Sequence, residues 1–278
     1  DIEGNPRPNP EGSIPDIGAY ENPLAESAHN SLIYVSTDGN DDGSIGEENA
    51  PFSTIQAAIE YSIDGDTILV YPGTYTGDIN YNSKNLVIGS FYLTTQDTSY
   101  ISSTIISNKI FIDGLVDSSA SLSGFTITDA GVNQSGSNNS AIYCYGDIIL
   151  KNLIIRDNSY ARGIRFTNSN ATVEDCEILG NNTQDSGAGI YIENESNLMF
   201  TNVTISGNTA SINGGGIYSQ GGSTVQLNNS RIANNSSLAG GGVYFTGEDL
   251  SIQSSIIDSN NTTSAGGGIY IWSGYTKI

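Results

Sequence analysis

The stretch TNVTISGNTASINGGGIYSQGGSTVQLNNSRIANN, residues 201–235, opens with an eight-residue phrase, TNVTISGN, and closes with a second version of it, NNSRIANN. The same phrase recurs as KNLIIRDN (151–158) and EDCEILGN (174–181) upstream and as QSSIIDSN (253–260) downstream. A second phrase lies between the copies. It reads GGIYS at 215–219 and returns as AIYC (141–144), GIRF (163–166), GIYI (189–192), GGVYF (241–245) and GGIYI (267–271). Successive copies are about 22 to 27 residues apart, a period that belongs to solenoids, in which each unit buries its apolar face only by stacking on the next.

The columns of the repeat identify the unit. The fifth place of the first phrase is Ile155, Ile178, Ile205, Ile232 and Ile257. Two places earlier stand Leu153, Cys176, Val203, Ser230 and Ser255, and just before the phrase come Leu150, Val173, Phe200, Leu227 and Ile252. Alternation at a spacing of two describes a strand with one buried face. Pairs such as Lys151-Asn152, Thr201-Asn202 and Asn228-Asn229 break the alternation, and Asn tolerates a left-handed bend better than other non-glycine residues. The phrase therefore reads strand, bend, strand. The second phrase adds a strand with Ile142, Ile164, Ile190, Ile217, Val243 and Ile269 pointing inward. Three short strands per turn, stacked in parallel, make an all-β right-handed parallel β-helix. Leu150, Leu153, Ile155 and Asn158 also fit a leucine-rich repeat, but that fold needs a leucine-bearing helical segment in each unit. Here short segments made mostly of Ser, Thr, Ala, Asn and Gly follow each Asn instead.

Composition narrows the partners. The 278 residues carry a formal charge of −21, and residues 1–65 hold 13 Asp and Glu against Arg7 alone. Nucleic acid and anionic membrane are poor partners for such a chain, and nothing in this segment reads as a membrane insertion. Cys144 and Cys176 fall on inward columns of different strands in different turns, which predicts buried free thiols rather than a disulfide.

Residues 1–30 are rich in Pro, Asn and Glu and contain GNPR (4–7) and PDIGAYE (15–21). This segment resembles the end of β-helical domains in large secreted bacterial proteins, and is read as a linker or the tail of a preceding domain. Residues 31–278 are then the parallel β-helix domain, truncated at its C-terminal end. Ser53 and Gln56 predict a capping box that opens a short helix over 52–63, with Ile55, Ile59 and Ile63 on one face. Such a helix would cap the open N-terminal end of the solenoid. Thr67–Tyr71 reads as the first core strand, and 133–140 as a polar loop. The order YVSTDGND (34–41), PFSTIQAAI (51–59), GDTILVYPGTY (65–75) resembles the N-terminal part of pectate-lyase-like β-helix proteins, and the later GGGIY turns look like bacterial surface β-helices. The resemblance implies an extracellular or cell-surface protein that handles polysaccharide.

Two groups of residues stand out as candidate sites. The residue after each inward Ile of the second phrase is Tyr143, Arg165, Tyr191, Tyr218, Tyr244 and Tyr270, which parallel stacking places in one exposed column. Tyr191, Tyr218, Tyr244, Tyr270 and Arg165 are the candidate ligand-binding strip. Its rings either contact sugar or stack on one another to shield the sheet. Asp38, Asn40 and Asp42 match the first half of a calcium loop, with Gly43 at the sixth place, but the twelfth is Asn49 where a bidentate Glu is needed. A looser calcium site is the expectation. The column Asn158, Asn181, Asn208, Asn235, Asn260 is expected to be structural.

A lyase needs a base beside a uronate, and a glycosidase needs two facing carboxylates. Arg156, Arg162 and Arg165 with Asp157, Glu174 and Asp175 form the one mixed cluster, and no residue earns a catalytic role from sequence. The expectation is a secreted or cell-surface module, non-catalytic, that binds polysaccharide or mediates adhesion. The alternative is a carbohydrate-active enzyme of the pectate-lyase-like class, acting as a polysaccharide lyase or glycoside hydrolase.

Overall fold

The computed structural model describes residues 29–131 and 139–277. The segment with GNPR and PDIGAYE, and most of the expected loop at 133–140, lie outside the described residues. The solenoid is the unit that begins at Leu32.

Its strands pair in parallel in three long sheets. The ten-stranded sheet runs from Leu32–Val35 to Tyr275–Lys277. A second sheet of eight strands, from Ile79–Asn80 to Ile269–Ile271, carries the Gly-Ile-Tyr phrase and is called here the tyrosine sheet. A third, also of eight strands and running from Gly73–Thr76 to Ile256–Asp258, carries the invariant Ile and is called the isoleucine sheet. The inward columns stack in register, Ile155 on Ile178 on Ile205 on Ile232, Leu150 on Val173 on Phe200 on Leu227, and Ile142 on Ile164 on Ile190 on Ile217. All twelve side chains are within 1% of full burial and belong to one continuous core. Each buried Ile or Leu is worth about 1.5–3 kcal/mol over an exposed one, and no coil buries its face without its neighbours.

The bends fall where the polar pairs stand. Asn152, Asp175, Asn202, Asn229 and Ser254 all have φ between 49 and 56°, so the second polar residue of each phrase takes the left-handed turn between the ten-stranded and isoleucine sheets. The asparagine column then forms a hydrogen-bonded ladder. Asn181 Nδ2 donates to Asn208 Oδ1 at 3.0 Å, and Asn208 Nδ2 to Asn235 Oδ1 at 2.9 Å, each residue also donating to a carbonyl of the preceding coil. Glycine precedes the tyrosine strand because coils approach closely there. A Cβ on Gly216 would stand 2.5 Å from the carbonyl oxygen of Gly242 in the next coil.

Several details depart from expectation. A fourth sheet, of Asn182–Thr183, Thr209–Ala210, Ser236–Ala239 and Asn261–Ala265, follows the asparagine ladder, so the later coils have four strands, the extra one burying only small residues such as Thr183 and Ala210. The first strand is Leu32–Val35, paired with Thr67–Val70, so the chain enters the sheet one strand earlier than read. The helix spans Ile55–Tyr61, and its cap is Thr54, whose hydroxyl accepts from Ala57 N, not Ser53. Gln56 is not a capping partner; its Oε1 accepts from Asn80 N. Ile63 lies beyond the helix and is 56% exposed, while Ile55, Ala58 and Ile59 form the buried face. Lys84 reaches from another coil to close the helix C-terminus, donating to the carbonyls of Ile59, Glu60 and Ser62 at 2.6, 3.0 and 2.6 Å. Two short helices, Tyr92–Thr95 and Ser99–Ser103, decorate the early coils and have no counterpart in the repeat. Cys144 and Cys176 are buried free thiols, both pushed up to about 12 by burial.

Candidate binding face

The outward column of the tyrosine sheet reads Asn80, Phe111, Tyr143, Arg165, Tyr191, Tyr218, Tyr244, Tyr270, each residue paired in register with the next. The candidate strip is therefore one physical row. Tyr191, Tyr218, Tyr244 and Tyr270 stack with centroid separations of 5.2, 5.3 and 5.0 Å and interplanar angles of 14 to 20°. Stacked rings turn their faces to one another, so the surface of the strip is ring edge and hydroxyl. A shorter stack, Phe111 on Tyr143 at 4.9 Å, lies on the other side of Arg165. Phe111 went unread in the sequence because it sits in an irregular coil, yet Ile110-Phe111-Ile112 has the same pattern as Ile269-Tyr270-Ile271.

Arg165 divides the two stacks and is held in place. Its Nε donates to Glu193 Oε1 at 3.0 Å, its Nη2 bonds the same oxygen, and Thr167 Oγ1 donates there too at 3.1 Å. Arg162 lies beneath, 1% exposed, with Nε on the Ser186 carbonyl at 2.8 Å and Nη2 on Asp185 at 2.9 Å. Its guanidinium is 4.5 Å from the Tyr191 ring centroid and that of Arg165 is 5.6 Å away, so Tyr191 sits between cations and the next tyrosine. Burial lowers the Arg162 pKa while Asp185 opposes the shift. The phenol of Tyr191 is pushed up to about 12, by burial first and Glu193 second. Gln220 completes the network: its Nε2 donates to Tyr191 Oη at 2.8 Å and to Glu193 Oε2 at 3.5 Å, and its Oε1 accepts from Tyr218 Oη at 3.0 Å.

The mixed cluster read from sequence thus separates into three. Arg156 pairs with Asp157 on the isoleucine side, and Lys151 pairs with Glu174 and Asp175 at the bend. Only Arg162 and Arg165 share the tyrosine face, and their carboxylates, Asp185 and Glu193, come from one coil further on. Those two acids went unread because partners 23 and 28 positions apart become neighbours only once the coil period is applied.

The expected calcium residues lie elsewhere. Asp38, Asn40 and Asp42 line one surface concavity with Ser44 and Asn49. Asn40 Oδ1 already accepts from Asp42 N at 3.2 Å. Asp41 turns inward and holds the helix entry, accepting from Ser53 N, Thr54 N and Thr54 Oγ1 at 2.7, 3.1 and 2.9 Å. Burial works to raise its carboxyl, and these bonds outweigh it and keep it below the ordinary value. Among the described residues, no three His, Cys, Asp or Glu are grouped to hold a metal ion, and no helix is long and apolar enough to cross a membrane.

Comparison with known proteins places this architecture. The solved pectin methylesterase PemA from Erwinia chrysanthemi is similar over 89% of this chain and 82% of its own, at 16% identity and a TM-score of 0.51. A pectin methylesterase solved in complex with a hexasaccharide is similar over 90% of both chains, at 14% identity and a TM-score of 0.53. At such identity the likeness is one of fold. No curated protein matches the chain in sequence. The family described as the right handed beta helix region matches residues 115–278, which hold the repeat, the asparagine ladder and the tyrosine strip, and the chain belongs to that family.

Proposed function

We propose that the chain is a secreted or cell-surface β-helical module that binds polysaccharide without transforming it, with the tyrosine sheet as the contact face. One observation carries this reading. Four consecutive coils present stacked tyrosines in a straight row of hydroxyl-bearing edges, continued by Arg165. Such a row offers repeated polar contacts at a fixed spacing, which suits a repeating ligand. A similar fold in a protein solved with a hexasaccharide fits the same ligand class. The non-catalytic part rests on charge pairing: Asp185 and Glu193, the carboxylates of this face, are each engaged by an arginine, whereas a general acid or base must be able to exchange its proton. Residues 1–30 fit the role of a linker from a preceding domain.

A polysaccharide array scored for both binding and product release, with and without calcium, tests the reading. Binding without release is expected, and the double substitution Tyr218→Ala with Tyr244→Ala should weaken it while leaving the far-ultraviolet circular dichroism intact. Product release from any polysaccharide would favour an enzyme of the pectate-lyase-like class, for which the Arg162 and Arg165 cluster is the place to look. Binding unchanged by the double substitution would remove the strip from the interface.

A further inference from the structure

The strip has a pitch, a hydrogen-bond polarity and a charge state, and together they define a ligand more narrowly than polysaccharide. The pitch is the centroid separation of 5.0 to 5.3 Å along four tyrosines, imposed by the parallel stacking of coils. It is close to the advance of one pyranose along an extended β-1,4-linked chain, and longer than the advance in coiled α-linked glucans.

The polarity follows from Gln220. The Glu193 carboxylate only accepts, so the amide nitrogen of Gln220 must face it, and Gln220 Oε1 must face Tyr218. Tyr218 therefore spends its hydroxyl proton on Gln220 and keeps lone pairs for an incoming donor. Tyr191 is the reverse, since it accepts from Gln220 Nε2 and keeps its proton for an incoming acceptor. Adjacent coils thus offer a donor and then an acceptor, and a sugar hydroxyl satisfies either. Phenols ionise only near pH 10 and burial raises both of these further, so both protons are in place at neutral pH.

The charge state argues against an acidic chain. Glu193 and Asp185 satisfy Arg165 and Arg162, and the remaining residues of the strip are neutral. A uronate carboxylate laid on this face would meet two acids and no unengaged cation among the described residues of the strip, on a protein of formal charge −21.

We infer that the tyrosine strip takes a neutral β-1,4-linked polysaccharide as an extended ribbon along the solenoid axis, one sugar to each coil. The inference rests on the polysaccharide-binding reading above and narrows it. The test is titration calorimetry with cellohexaose, mannohexaose and xylohexaose against hexagalacturonate and maltohexaose. At least one neutral β-1,4 hexamer should bind more than tenfold tighter than either control, with an affinity indifferent to salt. Tyr191→Phe and Tyr218→Phe keep the ring stack and remove one hydroxyl each, and each should weaken binding about three- to tenfold with unchanged far-ultraviolet circular dichroism. Gln220→Leu, which removes the group that orients both hydroxyls, should weaken it at least as much. Tighter binding of hexagalacturonate or maltohexaose would overturn this inference and leave the polysaccharide reading standing. Binding that ignores all three substitutions would also overturn it, and failure to bind any hexamer or any polysaccharide on the array would overturn both.

Discussion

Asn208 is fully buried, yet every polar atom of its side chain is engaged. Oδ1 accepts from the backbone and side-chain nitrogens of Asn181 at 2.9 and 3.0 Å, and Nδ2 donates to Ile178 O and Asn235 Oδ1 at 2.9 Å each. Asn208→Ala strands partners in both neighbouring coils, and a buried polar group left unpaired costs about 1–3 kcal/mol, so a loss of about 2–4 kcal/mol in urea unfolding is expected. A midpoint unmoved by this change would mean that the ladder contributes nothing to stability. Tyr191 supplies a second prediction at this scale. Its folded phenol is pushed up to about 12 against an ordinary 10.0, so the folded state holds a proton that the unfolded state releases. The sign follows: this contribution is complete below about pH 10 and is lost as pH rises toward 12. Thermal unfolding of Tyr191→Phe should therefore lose less stability than the parent over that interval, and equal slopes would refute the shift.

The helix at Ile55–Tyr61 is the element whose details were least legible. Ser53 and Gln56 have capping-box spacing, but the Ser53 amide is taken by Asp41, twelve residues upstream, which moves the cap one place on to Thr54. Long-range side-chain bonds of this kind leave no periodic trace, and Lys84 at the other end of the helix is a further case. Thr54→Ala should cost about 1 kcal/mol as an ordinary cap loss, and Asp41→Ala more, because three hydrogen bonds at the helix entry end on that carboxylate. The neighbouring Asp38, Asn40 and Asp42 carry the calcium proposal, and the two roles separate experimentally. Calcium held there should raise the melting temperature, by about 2.7 kcal/mol of stabilisation at a hundred times the dissociation constant if only the folded state binds. Asp42→Ala should abolish that rise without lowering the melting temperature in chelator, whereas Asp41→Ala should lower it in both media. Superimposable melting curves of the parent in calcium and in chelator would retire the ion.

At the scale of the whole molecule, the coils from Ile142 onward were legible because one requirement, an inward residue at each of three columns, repeats at each turn and leaves a period in the chain. Coils before Phe125 stack equally well but carry insertions such as the helices at Tyr92–Thr95 and Ser99–Ser103, which break the period without breaking the core. The fourth sheet was illegible for the opposite reason: its strands bury Thr183, Ala210 and Ser237, residues too small and polar to mark an inward face. Register across coils is what the fold depends on, and it is open to a direct test. Leu198 pairs with Val225, Tyr191 with Tyr218 and Asn181 with Asn208, an offset of 27 positions. Excising residues 204–230 joins Val203 to Arg231, which already occupies the register place of Thr204. Each inward column then closes on the next coil, Ile178 meeting Ile232, Asn181 meeting Asn235 and Tyr191 meeting Tyr244. The shortened protein should keep its β circular dichroism and unfold cooperatively, with a modest loss of stability for one coil fewer. Excising 204–231 instead removes one residue more, and a slip of one turns every following inward side chain toward solvent until a loop absorbs it. That variant should lose far more stability or aggregate. Equal stability for the two deletions would show that the coils tolerate a shift of register, which is incompatible with a core built from columns.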